Sequence, residues 1–198
     1  MPQAWLLCYP KRLGRFLVWI AQPGERSVSG CRTLDDAGGV LMPLQVAVPK
    51  ETQSGERRVA MTPRVAERLV KLGITVMVEA GAGVESGMLD ADYSKFAALI
   101  SDQRQLYGEA GIVLRVHVPE IAHIQMMSEG AVLVSFVHGS LHLDQVKLLR
   151  DKKITTFAME LVPRISRAQN VDALSSQAMA AGYKAALLAA NRFERFFP

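Results

Sequence analysis

The polar side chains best suited to chemistry lie in one stretch of the chain, between an apolar run and an alanine-rich segment. This stretch, residues 159–177, reads MELVPRISRAQNVDALSSQ. Arg164 offers a rigid fork of donors, and Gln169 offers both a donor and an acceptor. Asp172 offers an acceptor that can hold an arginine in place. Together these groups fit the recognition of a planar ligand that carries an amide.

The same stretch also permits a simpler interpretation, in which its side chains only begin a helix. Ser175 and Ser176 follow Asp172 by three and four residues, which is one helical turn on the same face. In this interpretation Asn170 or Asp172 caps the helix and the arginines are solvated. The residue types alone leave both interpretations open.

A second candidate is the charged segment PKETQSGERRVAMTP, which lies between a predicted strand and a predicted helix. At the carboxyl end of a parallel strand, such a loop often faces a ligand crevice. A solvated loop can have the same composition, so this alternative also stays open. The charged residues of the segment are Lys50, Glu51, Glu56, Arg57 and Arg58.

A third candidate is His138, which follows the apolar run LVSFV at the carboxyl end of a predicted strand. A histidine there can act as an acid–base group or can be a structural residue. His117, His123 and His142 have no metal-ligand spacing with it, so the sequence predicts no metal site.

The glycines of EAGAGVESG are predicted to form a turn and not a dinucleotide-binding loop. Gly81, Gly83 and Gly87 are spaced one residue too long for G-x-G-x-x-G, and no helix is predicted immediately after them.

Composition excludes several classes of function. The chain has 198 residues, 49% of them hydrophobic, and a net charge of +4 without a basic run, so nucleic acid is not an indicated partner. No apolar stretch reaches the roughly 18–20 residues of a membrane span. The two cysteines, Cys8 and Cys31, are too few for a disulfide scaffold or a zinc site.

The composition changes at Met42. Residues 1–41 show no sustained periodicity, and they are predicted to be a poorly ordered extension or translation from a start codon placed too far upstream. A targeting peptide is disfavoured because Glu25, Asp35 and Asp36 interrupt its pattern.

From Met42 onward, strands and helices alternate. The predicted strands are LQVAVP, ITVMVEAG, GIVLRVHVP, AVLVSFVHG and ITTFAME, and the predicted helices are TPRVAERLVKLG, DADYSKFAAL and HLDQVKLLRDKK. This order predicts an α/β fold with a mostly parallel sheet and helices on both faces, of the flavodoxin or Rossmann-like type. The predicted domain covers residues 42–170, and residues 171–198 are predicted to form a long connector helix of small residues.

Three segments of the chain resemble known proteins. MELVPRISRAQNVDALSSQAMAAGYKAALLAANRFERFF closely resembles the alpha subunit of proton-translocating NAD(P) transhydrogenase. VAVPKETQSGERRVAMTP and VMVEAGAGVESGMLDADY resemble the amino-terminal segment of that subunit and of its relative, alanine dehydrogenase. The resemblance covers about residues 44–197, and the string PRISRAQ…DALSS is specific to the transhydrogenases.

The resemblance implies an oxidoreductase that passes a hydride between NADH and NADP⁺, coupled to proton movement. By matching motif, Arg164, Gln169, Asp172 and Ser175 would contact the nicotinamide end of NAD(H), with Arg164 and Asp172 positioning the ring. Neither a general acid nor a metal is implied. The implied partners are a component that holds NADP(H), the beta subunit with its membrane domain, and a second copy. The implied location is the cytoplasmic face of the bacterial inner membrane, or the cytoplasm for a free fragment.

Alanine dehydrogenase is the alternative within the resemblance. His138 and Arg58 match the histidine and the substrate-binding arginine of that enzyme, whereas transhydrogenases have an aromatic residue and proline near position 138. Arg115 stands where both families have lysine. The longer PRISRAQNVDALSSQ match favours the transhydrogenase.

The resemblance also places a glycine-rich NAD-binding subdomain after Pro198, which this sequence lacks. The chain alone is therefore expected to be inactive and to bind NADH very weakly. Two further alternatives are a non-catalytic truncated product and a short subunit that completes its site with a separate chain.

Overall fold

The computed structural model describes residues 44–195, and the expectations for residues 1–41 lie outside this range. The described residues divide into two compact units, one that ends at Ala158 and one that begins at Met159. This division falls earlier than the boundary expected at residue 170, and the domain assignment stays a prediction. None of the described helices combines the length and apolar character that a membrane span requires.

The first unit is a parallel sheet with helices on both faces, which confirms the predicted fold class. Its strands are β1 (Gln45–Val48), β2 (Thr75–Glu79), β3 (Ala98–Ile100), β4 (Ile112–His117), β5 (Val132–Phe136) and β6 (Thr155–Ala158). Its helices are α1 (Pro63–Lys71), α2 (Asp90–Tyr93), α3 (Gln103–Glu109), α4 (Ile121–Met126) and α5 (Leu143–Asp151). The strand order is β3-β2-β1-β4-β5-β6, and all five pairings are parallel.

Alternating residues of the strands fill two apolar cores, one on each face of the sheet. On β1, Val46 and Val48 belong to the core that includes Ala66 of α1 and Tyr93 of α2. Ala47 belongs to the other core, which packs against α3, α4 and α5. Because both faces are covered, each central strand reads as a continuous apolar run.

One predicted helix is wrong in its second half. The segment 90–99 is expected to be helical throughout, but α2 ends at Tyr93 and β3 begins at Ala98. Ala98 and Leu99 pair with Met77 and Val78 of β2, so sheet pairing overrides the helical propensity of alanine and leucine. The sequence patterns also do not predict the short helices α3 and α4.

The glycine-rich segment after β2 forms a turn, as predicted. One 3-10 turn covers Val84–Ser86, and Gly87 follows it with φ of 75°. The carboxylate of Asp90 accepts a hydrogen bond from the Gly81 N–H at 2.9 Å. The backbone donor of Gly81 is therefore used within the chain.

The second unit contains a loop and one long helix. Helix α6 (Ala173–Arg192) begins directly after Asp172, as predicted from the sequence. None of its residues is buried in the described structure.

Candidate functional site

The predicted cofactor residues lie in the loop of the second unit and in the first turn of α6. Two 3-10 turns, Met159–Leu161 and Ser166–Val171, precede the helix. Ala168 in the second turn is fully buried, whereas Arg164 and Gln169 are exposed. The loop therefore presents the two longer polar side chains to solvent.

Asp172 caps α6 through its side chain and its carbonyl. Its Oδ1 accepts from the Ser175 N–H at 2.9 Å, and its Oδ2 accepts from the Ser175 hydroxyl at 2.6 Å. The Ser176 hydroxyl donates to the Asp172 carbonyl at 3.1 Å. The hydrogen bonds from Ser175 lower the pKa of Asp172, so its carboxylate is ionised at neutral pH.

The structure brings two of the four predicted cofactor residues, Asp172 and Ser175, into direct contact. The positive charge of Arg164 contributes to the lowered pKa of Asp172. Among the described residues, however, the salt bridges do not include one between Arg164 and Asp172. The capping interpretation of Asp172 is confirmed, and contact of the four residues with a nicotinamide stays a prediction.

In the first unit, the strand order changes direction between β1 and β4. Open parallel sheets bind ligands outside the carboxyl ends of their strands at such a point. The segment after β1 carries the charged residues noted in the sequence, and β4 ends at His117. Of these charged residues, Lys50, Arg57 and Arg58 are exposed, whereas Glu51 is buried.

Glu51 forms a buried ion pair with Arg115 of β4. The Arg115 Nη2 donates to Glu51 Oε2 at 3.2 Å, and each side chain is only 2% exposed. Glu51 also accepts from the backbone N–H groups of Val116 at 2.7 Å and His117 at 3.3 Å. One carboxylate thus balances a buried guanidinium and satisfies two backbone donors.

These backbone donors are available because β4 is irregular at this position. Leu114 pairs with Val134 and His117 pairs with Phe136, so β4 has one extra residue there. Such a bulge redirects side chains and releases ladder N–H groups. Both residues at the irregular position, Arg115 and Val116, are buried.

Tyr107 and His123 complete the surroundings of Arg115. The Arg115 Nη1 donates to the Tyr107 hydroxyl at 3.2 Å and lies 3.3 Å from His123 Nδ1. The two rings stack with centroids 5.2 Å apart. Burial opposes the charge of Arg115, but Tyr107 and Glu51 outweigh it and raise the pKa of the guanidinium.

The two rings are neutral at pH 7. Burial raises the pKa of Tyr107 to about 12. Burial, and then the charge of Arg115, lowers the pKa of His123. Because His123 Nδ1 faces a guanidinium donor, it must accept, and the ring proton lies on Nε2.

A second, more exposed cluster joins the same loop to the end of β4. The Arg58 side chain donates to Glu56 at 2.8 Å from Nε and 2.5 Å from Nη2. The His117 Nε2 lies 2.6 Å from the same carboxylate. The hydrogen bond from Arg58, against the effect of burial, lowers the pKa of Glu56 to about 2.

His138 lies just beyond the end of β5, as predicted, in a left-handed backbone conformation with φ of 46°. Such a conformation is uncommon for a residue other than glycine and occurs often near functional sites. Its ring stacks on Phe136 with centroids 6.3 Å apart. Within residues 44–195, no group of three or more acidic, histidine or cysteine side chains could hold a metal ion.

The sequence does not predict the cluster of Glu51, Arg115, Tyr107 and His123. One signal is present: Arg115 is the single charged residue within the apolar run GIVLRVHVP. A charge in a buried strand requires a partner of opposite charge. The sequence cannot say which acidic residue supplies it.

The chain is similar in sequence to a described family and to known proteins. Residues 47–181 match the family model described as alanine dehydrogenase/PNT, N-terminal domain. The chain is 42% identical to an NAD(P) transhydrogenase alpha-subunit polypeptide of Rhodospirillum rubrum over 161 residues, which covers 78% of this chain and 42% of the relative. It is 32% identical to an alanine dehydrogenase of Methanococcus maripaludis over 123 residues, which covers 62% of this chain and 33% of that enzyme.

A solved structure agrees with these matches. The transhydrogenase from Sinorhizobium meliloti superimposes with a TM-score of 0.72 at 37% identity, over 78% of this chain and 44% of that chain. The chain thus spans less than half the length of the relatives it matches, and the resemblance drawn from its sequence is confirmed. With more than half of its residues matched by the family model, the chain belongs to the alanine dehydrogenase/PNT N-terminal domain family.

Proposed function

We propose that this chain forms a portion of the NAD(H)-binding component of a proton-translocating NAD(P) transhydrogenase. The observation that carries the proposal is the extent of the similarity. The Rhodospirillum rubrum transhydrogenase subunit matches 78% of the chain, whereas the Methanococcus maripaludis alanine dehydrogenase matches 62%. The family match also runs through residue 181 and so includes the polar loop before α6.

The side chains of the polar loop fit a nicotinamide carboxamide by their chemistry. A carboxamide needs a donor for its oxygen and acceptors for its nitrogen. The exposed Arg164 supplies donors, and the exposed Gln169 supplies a donor and an acceptor. The Ser175 hydroxyl donates to Asp172, so its oxygen can still accept a further hydrogen bond.

In this proposal the loop positions the ring and performs no acid–base chemistry. The bound nicotinamide supplies the carbon that gives or receives the hydride. Arg164 and Gln169 fix the rotation of the carboxamide, because hydride transfer depends on the orientation of the reacting face. Asp172 and Ser175 hold the start of α6, and the ionised Asp172 provides negative charge near Arg164.

The remaining elements of the proposal concern the assembly. NADP(H) is held by a separate component, and the beta subunit with its membrane domain couples hydride transfer to proton movement. The NAD(H)-binding component forms a homodimer on the cytoplasmic face of the bacterial inner membrane. These elements extend the function given by the names of the relatives, which are transhydrogenase alpha subunits.

A chimera tests the proposal. Residues 44–195 replace the corresponding segment of the Rhodospirillum rubrum subunit, and hydride transfer from NADH to an NADP⁺ analogue is measured with the partner components present. We expect activity, and we expect Arg164→Ala to lower it about 10- to 100-fold through the loss of hydrogen bonds from a charged donor. Arg167→Ala is the matched control, since Arg167 is exposed in the same loop. A folded chimera that binds NADH but transfers no hydride would refute the proposal.

One observation favours an alanine dehydrogenase-like activity instead. His138 lies at the carboxyl end of β5 in a left-handed conformation, and a histidine can supply the proton transfer that amino-acid oxidation needs. Alanine-dependent formation of NADH by the same chimera, abolished by His138→Gln, would support this alternative.

A further inference from the structure

We propose that ordered water occupies a buried polar seam on one face of the sheet in the first unit. The seam consists of Arg115 on β4, Ser135 on β5 and Thr156 on β6. All three side chains are buried. The inference is independent of the proposed function.

The seam is defined by side-chain atoms that lack a protein partner. Among residues 44–195, the buried side-chain nitrogen and oxygen atoms without a hydrogen-bond partner are Arg115 Nε, Ser135 Oγ and Thr156 Oγ1. Buried polar atoms are nearly always paired with protein or with ordered water. Three exceptions on three neighbouring strands therefore suggest one shared cause.

The pairing of the strands places these residues on the same face. Val113 pairs with Leu133, and Leu133 pairs with Thr156; Val113 and Leu133 belong to the core that packs against α3, α4 and α5. Ser135 is two residues beyond Leu133 and so shares its face. Arg115 contacts Tyr107 of α3 and His123 of α4, which places its side chain on this face as well.

Ser135 lies opposite the bulge that contains Arg115. The paired positions on either side are Leu114 with Val134 and His117 with Phe136. Neighbouring strands are about 4.8 Å apart. Two hydrogen bonds through one water span roughly 5.6 Å, so one water can join Arg115 to Ser135 across β4 and β5. Thr156 pairs with Leu133, so it lies diagonally from Ser135 at roughly 7–8 Å.

Donor and acceptor chemistry identifies water as the fitting ligand. Arg115 Nε–H can only donate, and each hydroxyl can both donate and accept. A water molecule accepts from Arg115 Nε–H and donates to Ser135, and two further waters in series link Ser135 to the diagonally placed Thr156. An unpaired donor of a buried guanidinium is especially costly, because the group is charged.

The sign of a stability change tests this proposal. Ser135→Ala and Thr156→Val are made in the full chain, with Thr155→Val as the matched control, because Thr155 is the adjacent residue of β6 and points to the opposite face. If the hydroxyls bind water, their removal lowers Tm by roughly 2–6 °C relative to the control. If they are dry and unpaired, their removal raises Tm, since a desolvation cost disappears.

The double variant Ser135→Ala/Thr156→Val adds a test of shared water. If water bridges the two hydroxyls, Tm of the double variant should fall by less than the sum of the two single decreases, because the first substitution already disrupts the bridge. An unchanged or raised Tm in both single variants would overturn the proposal. So would a high-resolution crystal structure in which the two hydroxyls bond only to protein atoms.

Discussion

Substitution of Glu51 by glutamine tests the buried ion pair most directly. Glutamine has nearly the same size and can still accept from the Val116 N–H. It removes the negative charge that balances Arg115, and it places an amide donor where Oε2 accepts from Arg115 Nη2 and the His117 N–H. The variant therefore leaves a buried guanidinium without its counter-charge.

The expected loss of stability is large because the side chains of Glu51 and Arg115 are almost fully buried. Breaking a buried ion pair by removing one partner costs about 3–5 kcal/mol. For a chain of this size, each kcal/mol shifts Tm by roughly 2–4 °C, so Tm should fall by roughly 6–20 °C. Thermal unfolding followed by circular dichroism measures the shift.

Two further variants make the measurement specific to the ion pair. Glu51→Gln/Arg115→Met removes both charges, and we expect it to recover some of the stability lost in Glu51→Gln alone. Asp144→Asn removes a carboxylate that is 76% exposed in its pair with Lys147, and it should leave Tm nearly unchanged. If Glu51→Gln lowered the free energy of unfolding by less than about 1 kcal/mol, which is the range of an exposed ion pair, the result would contradict the reasoning.

Three other predictions concern separate regions of the structure. The folded-state pKa of His123 is lowered, so its contribution to stability should be fully present above the unfolded pKa of about 6.5. This contribution should decline as the pH falls through and below that value. His123→Asn should flatten the decline, measured as urea midpoints between about pH 7.5 and 5. Gly83→Ala places a Cβ 2.7 Å from the Met88 carbonyl oxygen and should cost about 1–3 kcal/mol in urea unfolding. In the matched variant Gly108→Ala, the added Cβ has only one atom within 4 Å, the Met126 carbonyl oxygen at 3.9 Å. Because Gly108 lies within a helix, this variant should be neutral or stabilising. Equal effects of Gly83→Ala and Gly108→Ala on stability would contradict the packing argument. Asp172→Ala removes the cap of α6 and should lower the helical signal at neutral pH, whereas an unchanged signal would show that the cap is unnecessary.

Local features of the sequence are sufficient to predict where several helices begin and end. Helix α1 begins with Pro63 after Thr62, and Gly73 follows its end with φ of 82°, as the residue types predict. The sequence indicates Asp172 as a possible cap, and it accepts two hydrogen bonds from Ser175. Helix signals of this kind act within a few residues, so they can be read without knowledge of the rest of the chain.

The short strand β3 cannot be predicted in the same way. Ala98, Leu99 and Ile100 carry no strand periodicity of their own and form a strand because β2 lies beside them. The propensity of three residues is weak compared with the hydrogen bonds and packing that a neighbouring strand supplies.

The sequence by itself determined five of the six strands, the helices α1 and α5, the start of the long helix, and the motif that indicates the family. Only the tertiary structure decided which charged groups meet. Glu51 and Arg115 are 64 residues apart in the chain, and they pair because β1 and β4 are neighbours in the sheet and β4 bulges at that point. Periodicity reports which face of an element is buried, but the partner of a buried charge depends on strand order, which long-range packing sets.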